Sequence, residues 1–221
     1  MNREQLRSNN RLLHVITDFH HQQRHSHAEL TCMALDGGAD MIQFRHKSVS
    51  VRPFMHEAGL ALSAFRAWKR AIPHDRPRVF LVNDRVDVAL AIGADGVHVG
   101  QSDLPADVVR RMIGPDRILG VTATTLAQCI RAEADGADYI GFGPVYPTRS
   151  KDNPASIKGL EGLHEAAQSV SIPVLAIAGI TPERCGPVMD TGAGGVAVMS
   201  SVVLATHPTA AAREFRIALD R

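Results

Sequence analysis

The stretch VFLVNDRVDVALAIGADGVHVGQSDLP (79–105) holds two apolar runs, VFLV and GVHVG, separated by the amphipathic segment RVDVALAIGA. Strand, helix, strand in so few residues reads as a parallel crossover, so both strand ends emerge on one rim. Asp84 follows the first run directly, and Asp103 stands just beyond the second. Two carboxylates on one rim suit a hard cation such as Mg2+ held against a phosphorylated small molecule. Helix N-capping is the competing account of either aspartate, since each stands near the start of a helix and Asp103-Leu-Pro has the look of a cap.

The same alternation runs outward in both directions. Strands are expected at LLHVIT (12–17), MIQFR (41–45), RVFLVN (78–83), GVHVG (96–100), RILGVTA (117–123), YIGFG (139–143), PVLAIA (173–178) and GVAVMS (195–200). They are continuous apolar runs, as for strands buried on both faces. Eight strand–helix units predict an α/β fold, a TIM (β/α)8 barrel in one domain over 1–221. The barrel itself takes about 12–204 and a last helix about 207–220, with a doubly wound open sheet as the alternative. GGAD (37–40), GAD (93–95), GAD (136–138) and GAGG (192–195) precede every second strand, each glycine ending a helix in a left-handed turn. The longest helix is expected at 52–72, and the longest loop at 148–159.

Composition narrows the function. At 221 residues and 45% apolar, the chain is suited to one large core, and no apolar run reaches membrane-spanning length. The polar opening MNREQLRSNNRLL and three scattered cysteines, Cys32, Cys129 and Cys185, predict no secretory signal, no disulfides and a cytoplasmic protein. Net charge near +1, two Tyr and one Trp argue against a nucleic-acid partner. An apolar helix face leaves a homo-oligomer open.

Polar residues gather where the expected strands end: Gln43, Phe44, Arg45, His46 and Lys47; Asn83 and Asp84; Asp103; Thr122; then Thr148, Arg149, Ser150 and Lys151. In a barrel these share the C-terminal rim, the usual place for chemistry, while the opposite rim is expected to hold only small turns. Arg45, Lys47 and Lys151, with a cation on Asp84 and Asp103, suit a diphosphate. The loops AIAGIT (176–181) and AVMSS (197–201), with Gly179 and Ser200 or Ser201, suit a monophosphate.

These residues resemble the thiamine phosphate synthase family. QFRHK, the 79–105 stretch, GADYIGFGPVYPTRSK, PVLAIAGI and GGVAVMSS carry the resemblance, from about residue 12 to 204. It implies a TIM barrel joining hydroxymethylpyrimidine diphosphate to a thiazole phosphate with Mg2+. By the same resemblance Gln43, Phe44, Arg45, His46, Lys47, Asn83, Thr122 and Lys151 bind the pyrimidine diphosphate, and Asp84 and Asp103 hold Mg2+. Thr148, Arg149, Ser150, Gly179, Met199 and Ser200 hold the thiazole phosphate, and Arg45, Lys47, Lys151 and Thr122 are the catalytic set.

Three positions depart from the family pattern: Thr122 for serine, Ala178 for a glycine, and Thr124 where a histidine is frequent. Thiazole tautomerases, which resemble this chain in LHVIT and VAVMS, use that histidine and tend to lose the aspartates and the Gln-x-Arg-x-Lys motif. Synthase is therefore favoured over tautomerase or over a non-catalytic barrel that binds a thiamine precursor. His20, His21, His25 and His27 could suggest a metal site but, with no carboxylate or cysteine beside them in the loop, read as a solvated loop, and His98 as a satisfied barrel histidine.

Overall fold

Eight apolar runs become eight parallel strands whose closed pairing leaves no open edge. In the computed structural model, which describes residues 3–8, 10–18, 22–47, 49–73, 76–148 and 156–221, the strands are Leu12–Asp18 (β1), Met41–Arg45 (β2), Val79–Asn83 (β3), Gly96–Val99 (β4), Ile118–Ala123 (β5), Tyr139–Phe142 (β6), Val174–Ile177 (β7) and Gly195–Val198 (β8). They pair in chain order, and β8 closes on β1. The fold is a TIM (β/α)8 barrel, and closure excludes the doubly wound sheet.

The helices are Arg3–Arg7 (α1), His27–Asp36 (α2), Val51–Ala71 (α3), Val86–Ile92 (α4), Ala106–Ile113 (α5), Leu126–Ala134 (α6), Gly159–Gln168 (α7), Cys185–Met189 (α8), Ser200–Val203 (α9) and Pro208–Asp220 (α10). A 3-10 turn, Pro182–Arg184, leads into α8. Among the described residues, no helix is long and apolar enough to cross a membrane.

Strand alternation divides the core in two. Leu12, Met41, Val79, Leu81, Ile118, Tyr139 and Leu175 fill the barrel, with Leu6 of α1 joining them. Their neighbours Leu13, Ile42, Phe80, Leu119 and Ile140 pack outward with Phe54, Phe65 and Phe215 of the helices. Above the inner apolar layer lies a polar one. His98 Nδ1 is 2.8 Å from the Tyr139 hydroxyl, and His98 Nε2 is 2.8 Å from Thr122 Oγ1. Gln43 Nε2 is 3.4 Å from His14 Nε2.

The opposite rim differs from expectation, because the GAD repeat is a structural device. Asp40, Asp95 and Asp138 each donate a backbone N–H to Leu13, Phe80 and Leu119 of the preceding strand. Each also accepts the N–H of that same residue on its carboxylate, at 2.9, 2.8 and 2.9 Å. In the fourth copy Gly194 keeps the backbone bond alone. Asp40 further pairs with Arg76, Arg78 and Arg216, and Asp138 with Arg3 and Arg110. The lower rim is therefore a ring of buried ion pairs rather than small turns alone. Those arginines come from distant segments, so local spacing could not reveal them.

Candidate active site

The turn after β3 brings the two aspartates together. Asp84 adopts a left-handed conformation (φ 61°), which aspartate tolerates better than most residues. Its N–H bonds His98 O at 2.8 Å, tying the turn to β4. In the loop after β4, Asp103 Oδ2 accepts the Gly100 N–H at 2.7 Å. Neither aspartate caps a helix: Arg85 and Pro105 precede α4 and α5, and neither helix has a side-chain cap. The capping account is thereby removed.

The pair is electrostatically frustrated. Burial first, and the hydrogen-bonding Asp103 carboxyl second, push Asp84 up from 3.8 to about 6. Lys47 and Arg45 pull the other way. Lys47 Nζ lies 3.7 Å from Asp84 Oδ2, with half its side chain exposed. Arg45 is held by Asp18, the fully buried last residue of β1. Asp18 escaped the sequence reading, which ended the first strand at 17. The signal was the register, since Asp18 and Arg45 stand side by side at the ends of adjacent strands.

Gln43 and Asn83 are nearly enclosed, and Thr122 is anchored from within by His98. Burial pushes His98 down to about 4, so it stays neutral, a satisfied barrel histidine as expected. Two residues of the QFRHK stretch point elsewhere. Phe44 packs outward against Phe54, ring centroids 5.0 Å apart, and His46 Nδ1 lies 2.9 Å from Glu57 Oε2 of α3. Alternation along β2 and into the following loop turns these two side chains away from the barrel mouth, whereas the reading of the stretch placed all five residues at the substrate. The histidine loop needs a correction. His27 begins α2, is buried against Phe44 at 4.3 Å, and is pushed down to about 4 by burial and then by His46. His25 is half-buried, while His20 and His21 lie outside the described residues.

Across the rim, Thr148 is half-buried, and Arg149, Ser150 and Lys151 lie outside the described residues. Gly179 (φ 65°) presses against the next loop so closely that a Cβ would meet Pro147 O at 2.5 Å. Ala178 carries φ 78° in the same turn. Arg184 braces the turn by donating to Gly179 O while lying 4.2 Å over the Tyr146 ring. Met199 precedes α9, Ser200 begins it, and the Ser201 hydroxyl is taken by Ile180 O at 2.9 Å. Thr124, at the position of the tautomerase histidine, donates its hydroxyl to Gln128 Oε1 at 3.1 Å.

A (β/α)8 barrel with acidic and basic side chains gathered at its C-terminal mouth defines a barrel enzyme of the phosphate-handling type. The model of the thiamine monophosphate synthase family matches residues 13–202. A thiamine-phosphate synthase from Salinibacter ruber is 47% identical over 208 residues, 94% of this chain and 88% of that protein. One from Chloroflexus aurantiacus is 45% identical over 205 residues, 92% and 90% of the two. The solved thiamine phosphate pyrophosphorylase from Pyrococcus furiosus superposes with a TM-score of 0.83 at 37% identity, over 99% of this chain and 97% of its own. The chain belongs to the thiamine monophosphate synthase family.

Proposed function

We propose that this protein is a cytoplasmic transferase that joins hydroxymethylpyrimidine diphosphate to a thiazole phosphate, giving thiamine phosphate and pyrophosphate. The observation that carries the reading is the Asp84–Asp103 pair beside Lys47 and Arg45 on one rim. Burial first, and the neighbouring Asp103 carboxyl second, hold Asp84 up at about 6 even with Lys47 3.7 Å away, which fits a divalent ion on this pair. When bound there, Mg2+ supplies positive charge to the oxygens of the diphosphate.

The chain's own residues do the rest. Lys47 reaches the departing diphosphate, Arg45 adds its fixed charge from the Asp18 clamp, and Lys151 joins them from the loop after β6. The bond from the pyrimidine methylene to the diphosphate oxygen breaks, and both its electrons leave with the diphosphate. The thiazole nitrogen then gives its lone pair to the methylene carbon. No nucleophile or base is required of the protein, only charge neutralisation and aim. Gln43, Asn83 and Thr122 orient the pyrimidine, and the Gly179 turn with Thr148, Arg149, Ser150, Met199 and Ser200 receives the thiazole phosphate. Free Cys32, Cys129 and Cys185 fit a reducing cytoplasm.

The test is incubation of the purified protein with both substrates and Mg2+, following pyrophosphate release and thiamine phosphate together. Wild-type protein is expected to form both in equal amounts. Absence of product from the folded wild type would sink the proposal.

A further inference from the structure

Outside the barrel mouth, two histidines and a glutamate converge in the layer between strands and helices. His27, His46 and Glu57 each present one ligand atom within 4.8 Å of the other two. They come from the start of α2, the loop after β2 and the second turn of α3, so the cluster joins three elements. Phe44 walls it on the apolar side, 4.3 Å from the His27 ring.

The hydrogen bonding around Thr17 decides what the cluster can hold. The Thr17 hydroxyl lies 2.8 Å from His27 Nδ1 and 3.3 Å from Gln43 O, an arrangement that fits a hydroxyl donating to the carbonyl and accepting from a protonated His27 Nδ1. The neutral His27 ring then carries its lone pair on Nε2, which lies 3.9 Å from Glu57 Oε2. A lone pair facing a carboxylate oxygen is a poor hydrogen bond and a good pair of metal ligands. An acceptor on the far nitrogen of a ligating imidazole fixes its tautomer and ring orientation, and the Thr17 oxygen is placed to serve as one.

We propose that His27, His46 and Glu57 form a second metal site, for a Zn2+-class transition cation, separate from the Asp84–Asp103 pair. Two imidazoles and a carboxylate match that class of ion, with water as a fourth ligand. Tetrahedral coordination needs ligand atoms about 3.3 Å apart, so His27 Nε2 closes on Glu57 slightly. The 2.9 Å His46–Glu57 hydrogen bond opens as the ring's proton moves to Nε2. The ion would pin the segment leading to Lys47 onto α2 and α3.

The experiment strips the protein with chelator and titrates Co2+ in excess Mg2+, reading the intense visible bands of tetrahedral cobalt, then displaces it with Zn2+. An Asp84→Asn/Asp103→Asn double variant serves as a second background. One tight Co2+ per chain is expected in both backgrounds, with affinity lowered at least ~10-fold by Glu57→Gln or His46→Gln and to a lesser extent by Thr17→Val. Only weak octahedral bands in the wild type would overturn the site. Binding unchanged by Glu57→Gln and His46→Gln would do so as well. Glu57 is partly exposed, so its variant is expected to fold, with far-ultraviolet dichroism as the check. No substrate enters the assay, so its failure leaves the transferase proposal untouched, and the reverse holds.

Discussion

Asp84 carries the largest consequence of any single residue. In the ion-free protein it takes up a proton near pH 6, so Mg2+ must compete with that proton at lower pH. Calorimetric titration is expected to find Mg2+ affinity about tenfold weaker at pH 5 than at pH 7.5, with the difference abolished in Asp84→Asn. The same variant should lose on the order of 10²–10³ in kcat/KM, the scale for removing one stabiliser of transition-state charge. Ala178 is the opposite case, a residue whose backbone works against it. At φ 78° its Cβ is strained, and Ala178→Gly should raise urea stability by about 1 kcal/mol. No change, or a loss, would show that the turn relaxes around the methyl.

Elements explain which parts of the site could be read in advance. Parallel strands sealed on both faces are mostly apolar, so all eight runs stood out and their ends fell within two residues of expectation. The aspartates stood out because each interrupts the sequence where such a run stops. What escaped was pairing between elements. Asp18 is unremarkable alone, and gains meaning only when β1 and β2 align it with Arg45. A resemblance covers the whole QFRHK stretch, while alternation along β2 and into the following loop sends the Phe44 and His46 side chains outward. The lower rim follows the same logic. Asp40 sits fully buried among three arginines, so Asp40→Asn strands those charges and should cost about 3–5 kcal/mol. Asp95 supports one strand N–H by comparison, and Asp95→Asn should cost about 1–3 kcal/mol. Equal losses from the two would contradict the assignment of the arginine cluster to Asp40.

For the molecule as a whole, buried histidines set the acid limit. His14, His27 and His98 fall from the ordinary 6.5 to about 3, 4 and 4 in the folded protein, burial being the first cause of each. Between those values the unfolded chain binds more protons, so their contribution is present above pH 6.5 and is lost as pH falls through about 4. Asp84 acts in the opposite sense, its contribution being present below 3.8 and lost as pH rises through about 6. Three groups outweigh one, and urea midpoints should drop steadily from pH 7 to pH 4.5; a flat or rising profile would contradict this. The barrel that buries these histidines also holds the acidic pair at its mouth, and that pair can be tested directly. A crystal grown with pyrophosphate and Mn2+ in place of Mg2+ should give an anomalous peak between Asp84 and Asp103, with pyrophosphate in reach of Lys47 and Arg45. An ordered pyrophosphate without a metal on those carboxylates, or a metal bound only elsewhere, would contradict the account.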